Sequence, residues 1–248
     1  MGVNRRFYLL CGIGDLLLVI LYPCITLVLD KKRGVMVETG KILHADCMDI
    51  MADMPDGYID LAIVDPPYGI GETWKKNRKG EKNFNGSYKN DSAPDEKYFK
   101  ELTRVSKDYI IWGANFYDFG WPTKNVIIWD KSCTWEKEHK AEAEIAITSL
   151  NHRPISIYRH TWSGGRKGSE TGISIIHPHQ KPVSLYRWLL QKYSVCGGII
   201  LDTHSGSGSC AIACMLEGFD FVAIEKDHDY WKASVDRFEL EKSQGKLF

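Results

Sequence analysis

The chain has 248 residues, of which 44% are hydrophobic and 26% charged, a balance that fits a globular protein and excludes disorder for most of its length. At this size it forms one domain, or one domain with an insertion. Lysine plus arginine and aspartate plus glutamate each number 32, so the formal net charge is zero, and any nucleic-acid binding must come from local patches rather than the overall field.

Residues 1–35 stand apart. Phe7 to Leu29 is apolar, broken only by Asp15 and Pro23, with Arg5 and Arg6 before it and Lys31, Lys32 and Arg33 after it. Such a stretch is long enough to span a bilayer, but basic residues at both ends fix no orientation. Met36 opens a segment that reads as the first strand of a soluble domain. The expectation is therefore an apolar extension over 1–35 and a domain over 36–248 starting at Met36, with a membrane anchor through 7–29 as the rival.

Beyond Met36, short apolar strands alternate with amphipathic stretches, the pattern of an α/β protein with a parallel sheet. Lys41 to Ala45 reads as a strand ending at Asp46, Met48 to Met54 as a short helix closed by Pro55-Asp56-Gly57, and Tyr58 to Val64 as the next strand. Asp95 to Val105 reads as a helix, Tyr109 to Trp112 as a strand, and Gly113-Ala114-Asn115 as a turn. Strands follow over Asn125 to Trp129, Glu144 to Ser149 and Pro154 to His160, then a Gly- and Ser-rich loop to Thr171. Pro182 to Tyr193 is expected to be helical, with proline in its first turn and Val183, Tyr186, Leu189 and Leu190 on one face. The last third is a βαβ unit: strand Gly198 to Leu201, loop Asp202 to Ser209, helix Cys210 to Glu217 stopped at Gly218, strand Phe219 to Ile224 and closing helix Asp229 to Ser243.

Two constellations carry chemistry. Asp65-Pro66-Pro67-Tyr68 follows the apolar run Leu61-Ala62-Ile63-Val64. The prolines hold the backbone extended, so a carboxylate and a free carbonyl can accept both hydrogens of an exocyclic amine while Tyr68 stacks on its ring. The plain alternative is a proline-rich turn after a buried strand. The second constellation is the loop containing Gly206 and Gly208, with Glu225 at the end of the following strand, roughly 20 residues on, where a carboxylate can accept from ribose hydroxyls. Ala211 stands where a dinucleotide fingerprint has its third glycine, and no Lys-Ser or Lys-Thr follows as in a Walker loop. A nucleoside cofactor without phosphates fits better than a dinucleotide.

Cys11, Cys24, Cys47, Cys133, Cys196, Cys210 and Cys214 are odd in number and lack zinc-like spacing, so reduced thiols in a cytoplasmic protein without a metal are expected. Cys210 and Cys214, four apart, fill a helix face. From Trp74 to Asn90 the chain is basic, with Lys75, Lys76 and Arg78 among its cations, interleaved with Trp74, Phe84 and Tyr88. A solvated loop and a phosphate-holding loop both fit this pattern.

In their order, Asp65-Pro66-Pro67-Tyr68, Ile176-His177-Pro178-His179-Gln180-Lys181-Pro182 and Leu201-Asp202-Thr203-His204-Ser205-Gly206-Ser207-Gly208-Ser209 resemble the beta-class amino DNA methyltransferases. The resemblance runs from about Lys41 to the C-terminus. Trp112-Gly113-Ala114-Asn115-Phe116 and Ile128-Trp129-Asp130-Lys131 resemble segments of phage- and prophage-type adenine methylases. His179, where the family often has Thr, and Ser205, often bulkier, depart from the pattern.

The resemblance implies a doubly wound, mostly parallel, seven-stranded Rossmann-like sheet with a circularly permuted motif order. It further implies methyl transfer from S-adenosylmethionine to the N6 amine of an adenine flipped out of double-stranded DNA. Asp65, Pro66, Pro67 and Tyr68 would be catalytic. Asp202, Ser205, Gly206 and Gly208 would surround the methionine part of the cofactor, Glu225 the ribose and Asp46 the adenine end, while Gln180 and Lys181 would close the pocket. Insertions near 74–92 and 132–171 would touch DNA, through Lys75, Lys76, Arg78, Arg166 and Lys167; a homodimer is compatible with the family. The rival readings are cytosine-N4 methylation, methylation of RNA or a protein glutamine, and a DNA-binding relic without activity.

Overall fold

The structure is a computed structural model that describes residues 21–22, 25–26, 37–70, 92–117, 125–131, 141–151, 154–162, 168–170 and 172–244. Leu21–Tyr22 (β1) and Ile25–Thr26 (β2) form a two-residue antiparallel pair. All other strands join one sheet: β3 (Lys41–His44), β4 (Ile59–Val64), β5 (Ser106–Trp112), β6 (Val126–Asp130), β7 (Ala143–Thr148), β8 (Ile155–Arg159), β9 (Ile199–Asp202) and β10 (Asp220–Glu225). The helices are α1 (Cys47–Ala52), α2 (Glu96–Val105), α3 (Val183–Tyr193), α4 (Ser209–Glu217) and α5 (His228–Gln244). The sheet has 8 strands in the order β3-β10-β9-β4-β5-β7-β6-β8. It therefore exceeds the expected seven by one, because each of the apolar runs marked in the sequence pairs into it.

The first five strands in that order are mutually parallel; β7 runs antiparallel to β5 and β6, and β8 lies parallel to β6 at the edge. Strand alternation sorts the core onto two faces. Leu61, Ile63, Ile110, Trp112, Ile200 and Ala223 pack under α3, α4 and α5, whereas Ala62, Val64, Ile111, Leu201, Val222 and Ile224 pack under α1 and α2. The sheet is thus covered on both sides, which is why its central strands tolerate continuous apolar sequence.

Local chemistry sets the helix ends. Asp46 and Asp95 cap α1 and α2 by accepting from the backbone N–H groups of Met48 at 2.9 Å and Tyr98 at 3.0 Å. Gly218, at φ +76°, ends α4 and returns its N–H to the Cys214 carbonyl. Cys210 and Cys214 are buried on the face of α4 that meets the sheet.

The connections place a crevice. From β4 the chain crosses through α2 to β5 on one side; from β9 it crosses through α4 to β10 on the other, although β4 and β9 are neighbours. Where crossovers diverge from adjacent parallel strands, their carboxyl ends leave a crevice between them. Asp65 follows β4 and Asp202 ends β9, so the two sequence constellations meet at this opening. Glu225, the last residue of β10, and Asp46, just past β3, extend the same edge. Among the described residues, no helix is long and apolar enough to cross a membrane. Most of the segment 7–29 lies outside the described residues.

Candidate active site and cofactor pocket

Asp65 is held at both oxygens. Its Oδ1 accepts the Tyr68 hydroxyl at 2.6 Å, and its Oδ2 is paired with the Lys181 ammonium. Burial raises the Tyr68 phenol well above its ordinary value, and the neighbouring Asp65 and Glu144 charges add to this, so its hydroxyl keeps its proton and donates. The Pro66 carbonyl accepts the Tyr117 hydroxyl at 2.7 Å, and the Pro67 carbonyl lies 3.2 Å from the same oxygen. A carbonyl carries two lone pairs and a carboxylate about four acceptor positions, so each retains capacity for another donor.

The Tyr68 ring lies 4.8 Å from the Phe116 ring at 14°, an offset stack, and meets Tyr117 edge-on. Phe116 is 44% exposed, so this aromatic stack opens toward solvent. Gly113 makes the approach feasible. A Cβ there would stand 2.1 Å from Tyr68 Cε1, with Cδ1 and Cζ also under 3 Å, and its φ of +73° disfavours any side chain.

Lys181 is 5% exposed and sits just before α3. Its Nζ meets Asp65 Oδ2, Tyr68 Oη at 3.2 Å and Glu144 Oε2 at 3.0 Å. An ammonium has three N–H donors, and three acceptors surround this one. Burial disfavours the Lys181 charge, but Asp65 and Glu144 outweigh it and raise its affinity for the proton. Glu144, from β7, also pairs with Lys131 just past β6 at 2.6 Å. Burial pushes the Glu144 carboxyl up, yet Lys181 and Lys131 together bring it down to about 2. Among the described contacts the result is a continuous run of four charges, Asp65–Lys181–Glu144–Lys131, whose own charges sum to zero.

The glycine-loop side is built differently. Asp202 is buried and accepts from the His204 N–H at 3.2 Å, with no cation paired to it among the described residues. Burial, reinforced by the charges of Asp65 and Glu225, lifts its carboxyl to about 8. The Ser205 Oγ is buried and without a partner among the described residues. Gly206, at φ +50°, gives its N–H to Glu225 Oε2 at 2.8 Å, while Glu225 Oε1 takes the Asp227 N–H at 2.8 Å. Gly208, at φ +73°, packs between Ile42 and Ser234. Asp46 pairs with Lys226 at 2.7 Å, which lowers its carboxyl.

The remaining expected residues are placed as follows. The Gln180 side-chain carbonyl accepts from the Ile176 N–H at 3.1 Å, and its backbone carbonyl accepts the Trp162 indole N–H at 3.0 Å, so it ties the 176–180 turn. His177 packs on Gly206 and burial lowers it to about 3; burial likewise lowers His204 to about 4. Both rings are neutral at ordinary pH. Trp112 and Trp129 are fully buried core aromatics. Lys75, Lys76, Arg78, Arg166 and Lys167 lie outside the described residues. Among the described residues no cluster of three or more His, Cys, Asp or Glu side chains could hold a metal.

Glu144 and Tyr117 had not been singled out. Glu144 shares strand parity with Ala146 and Thr148, so alternation alone aims a carboxylate at the core, where it needs a cation. Tyr117 gives no comparable signal in the sequence.

Residues 129–236 match the family described as DNA methylase, of the N6/N4 type. The type II methyltransferase M2.MboI of Moraxella bovis is 25% identical over 239 residues, covering 79% of this chain and 86% of its own length. The DNA adenine methyltransferase YhdJ of Escherichia coli strain K12 is 24% identical over 256 residues, covering 82% and 84%. Among solved structures, the M1.HpyAVI-SAM complex aligns with a TM-score of 0.53 at 19% identity, covering 79% of this chain and 98% of that one. The cytosine-N4-specific PvuII DNA methyltransferase aligns at 0.50 and 12% identity, covering 82% and 89%. The two structures share the fold. Over residues 129–236 the chain is thus similar to the N6/N4 DNA methylases, and relatives described as DNA methyltransferases align over most of its length.

Two stability measurements test this geometry. Gly113→Ala should cost about 1–3 kcal/mol in urea unfolding, from positive-φ strain and the Tyr68 contact. In a Tyr68→Ala background the cost should shrink toward the strain alone; an equal cost in both backgrounds would show that the ring is not what requires glycine. Asp202 gives the second. Its folded carboxyl holds a proton up to about pH 8, whereas the unfolded chain releases it near the ordinary value of 3.8. The folded state therefore binds the extra proton within this window, and its stability declines as pH rises. In ligand-free protein the stability advantage of Asp202→Asn over the parent should widen as pH rises from 4 to 8. A gap that stays constant across that range would contradict the assignment.

Proposed function

We propose that this chain transfers a methyl group from S-adenosylmethionine to the exocyclic N6 amine of an adenine flipped out of double-stranded DNA. The observation that carries this is the pair of fixed acceptors at the end of β4, the Asp65 carboxylate and the Pro66 carbonyl, each anchored by other donors with acceptor capacity to spare. An aromatic amine is a poor nucleophile because its lone pair is delocalised into the ring. Two acceptors that take its hydrogens draw that lone pair out of conjugation and aim it, which is positioning and electrostatic stabilisation rather than deprotonation. Stacking on the aromatic group of Tyr68 and Phe116 would offset part of the few kcal/mol spent in unstacking the base.

The glycine-loop pocket suits the cofactor. Asp202 is a buried carboxyl with no cation paired to it among the described residues, and Ser205 Oγ is likewise buried without a described partner, so both gain from a ligand carrying an ammonium and polar atoms. In this reading Asp202, Ser205 and the backbone at Gly206 and Gly208 hold the methionine part, Glu225 the ribose and Asp46 the adenine end. The cofactor supplies the methyl group. The chain's own residues bind and orient the two reactants. Asp rather than Ser at position 65 supports adenine over cytosine. The basic segment around 74–92 and the segment 132–171 are our candidates for DNA contact, with Lys75, Lys76, Arg78, Arg166 and Lys167 among the cations.

Incubation with methyl-labelled S-adenosylmethionine and unmethylated phage DNA, followed by digestion to nucleosides, should place the label in N6-methyl-2′-deoxyadenosine. Label in N4-methylcytosine would replace the adenine reading, and no label in DNA would reject it. Asp65→Ala should lower transfer by at least about 100-fold, the scale of losing a preorganised transition-state contact, while cofactor binding in equilibrium dialysis stays near the parental value.

A further inference from the structure

Lys131 and Glu144 touch neither Asp65 nor the glycine loop in any contact described, yet they complete the partly buried chain of charges that runs through Lys181 to Asp65. Lys181 stands between two carboxylates that compete for it. Were Glu144 neutral, Lys181 would be drawn toward Asp65 alone and the cluster would carry an excess positive charge. Were Lys131 absent, Glu144 would pull Lys181 away and the cluster would be negative. Only with all four groups present is the ammonium shared, with the Asp65 carboxylate fixed between Lys181 and the Tyr68 hydroxyl. Buried charges that lose one partner are costly, so each break should be felt along the chain.

We propose that Lys131 and Glu144 are positioning residues that set the orientation of the Asp65 carboxylate through Lys181, and so govern methyl transfer without contacting the base or the cofactor. This rests on the reading of Asp65 as an acceptor of the target amine. It also gives Lys181 a different task from closing the cofactor pocket, since its ammonium is hydrogen-bonded to Asp65 and Tyr68 and ion-paired with Glu144.

Charge balance makes the prediction specific in sign. Glu144→Gln leaves the cluster at a net positive charge and Lys131→Met at a net negative one; the double variant is neutral again. In the full chain, single-turnover transfer from labelled S-adenosylmethionine to unmethylated phage DNA should fall about 10- to 100-fold in each single variant, the scale of a small misplacement at a reacting centre. The double variant should recover about 10-fold over the worse single one, because coupled sites are not additive. Cofactor affinity should stay within about 2-fold throughout, since none of these residues holds it. Urea unfolding gives a readout independent of activity, and the same non-additivity should appear there.

Additive losses in both measurements would overturn the proposal. So would a non-additive stability cycle with parental transfer rates in all three variants, which would make the network structural. Parental protein that labels no DNA would defeat the functional reading, and with it the positioning role, whatever the stability cycle shows.

Discussion

The Lys181 ammonium, buried between Asp65 and Glu144, is the constraint on which the rest of the site depends. Taking a lysine charge out of water costs several kcal/mol, and a single carboxylate returns that cost only in good geometry. Here two carboxylates and a tyrosine hydroxyl surround it, and a second lysine balances the second carboxylate. The four charged groups come from the end of β4, the turn before α3, strand β7 and the end of β6. Elements far apart in sequence are thereby held in one register around the Asp-Pro-Pro-Tyr turn.

Two aspartates at the carboxyl ends of adjacent strands illustrate how environment divides labour. Asp65 has a cation and a hydroxyl on its oxygens, and its orientation is fixed before any ligand arrives. Asp202 has a backbone N–H and burial, which lifts it to about 8. The first is a prepared acceptor. The second is a carboxylate whose charge is unfavourable until a cation joins it, which is the property wanted of a residue that meets a positively charged cofactor. The divergence of crossovers at β4 and β9 brings the two together, so the topology itself sets the Asp-Pro-Pro-Tyr turn beside the glycine loop.

Much of this was legible in the sequence, because it rests on local chemistry. The strands and helices followed from apolar runs and the Gly218 stop, although β5 begins at Ser106, ahead of its apolar run, and the residues of the glycine loop were recognisable from spacing. The Asp-Pro-Pro-Tyr turn was recognisable for the same reason: proline restricts the backbone whatever surrounds it. Strand number was underestimated because the seven-stranded expectation came from the family resemblance, whereas the edge run at 155–159 pairs like the others. What the sequence did not disclose was pairing across distance. Lys181 lies next to Gln180 in the 176–182 run, and nothing local says whether its ammonium faces the glycine loop or Asp65, 116 positions earlier. Glu144 carried only a parity signal, and Tyr117 none, since both act through partners that the fold alone supplies.

Replacing Lys181 by Met tests the central arrangement most directly, with S-adenosylmethionine binding by equilibrium dialysis and single-turnover methyl transfer to DNA measured on the same folded protein. Binding within about 2-fold of the parent, with transfer reduced by about 100-fold or more, is the expected result for a lysine that serves Asp65. Transfer and binding lost in equal proportion would instead place Lys181 on the cofactor side and contradict the arrangement described above.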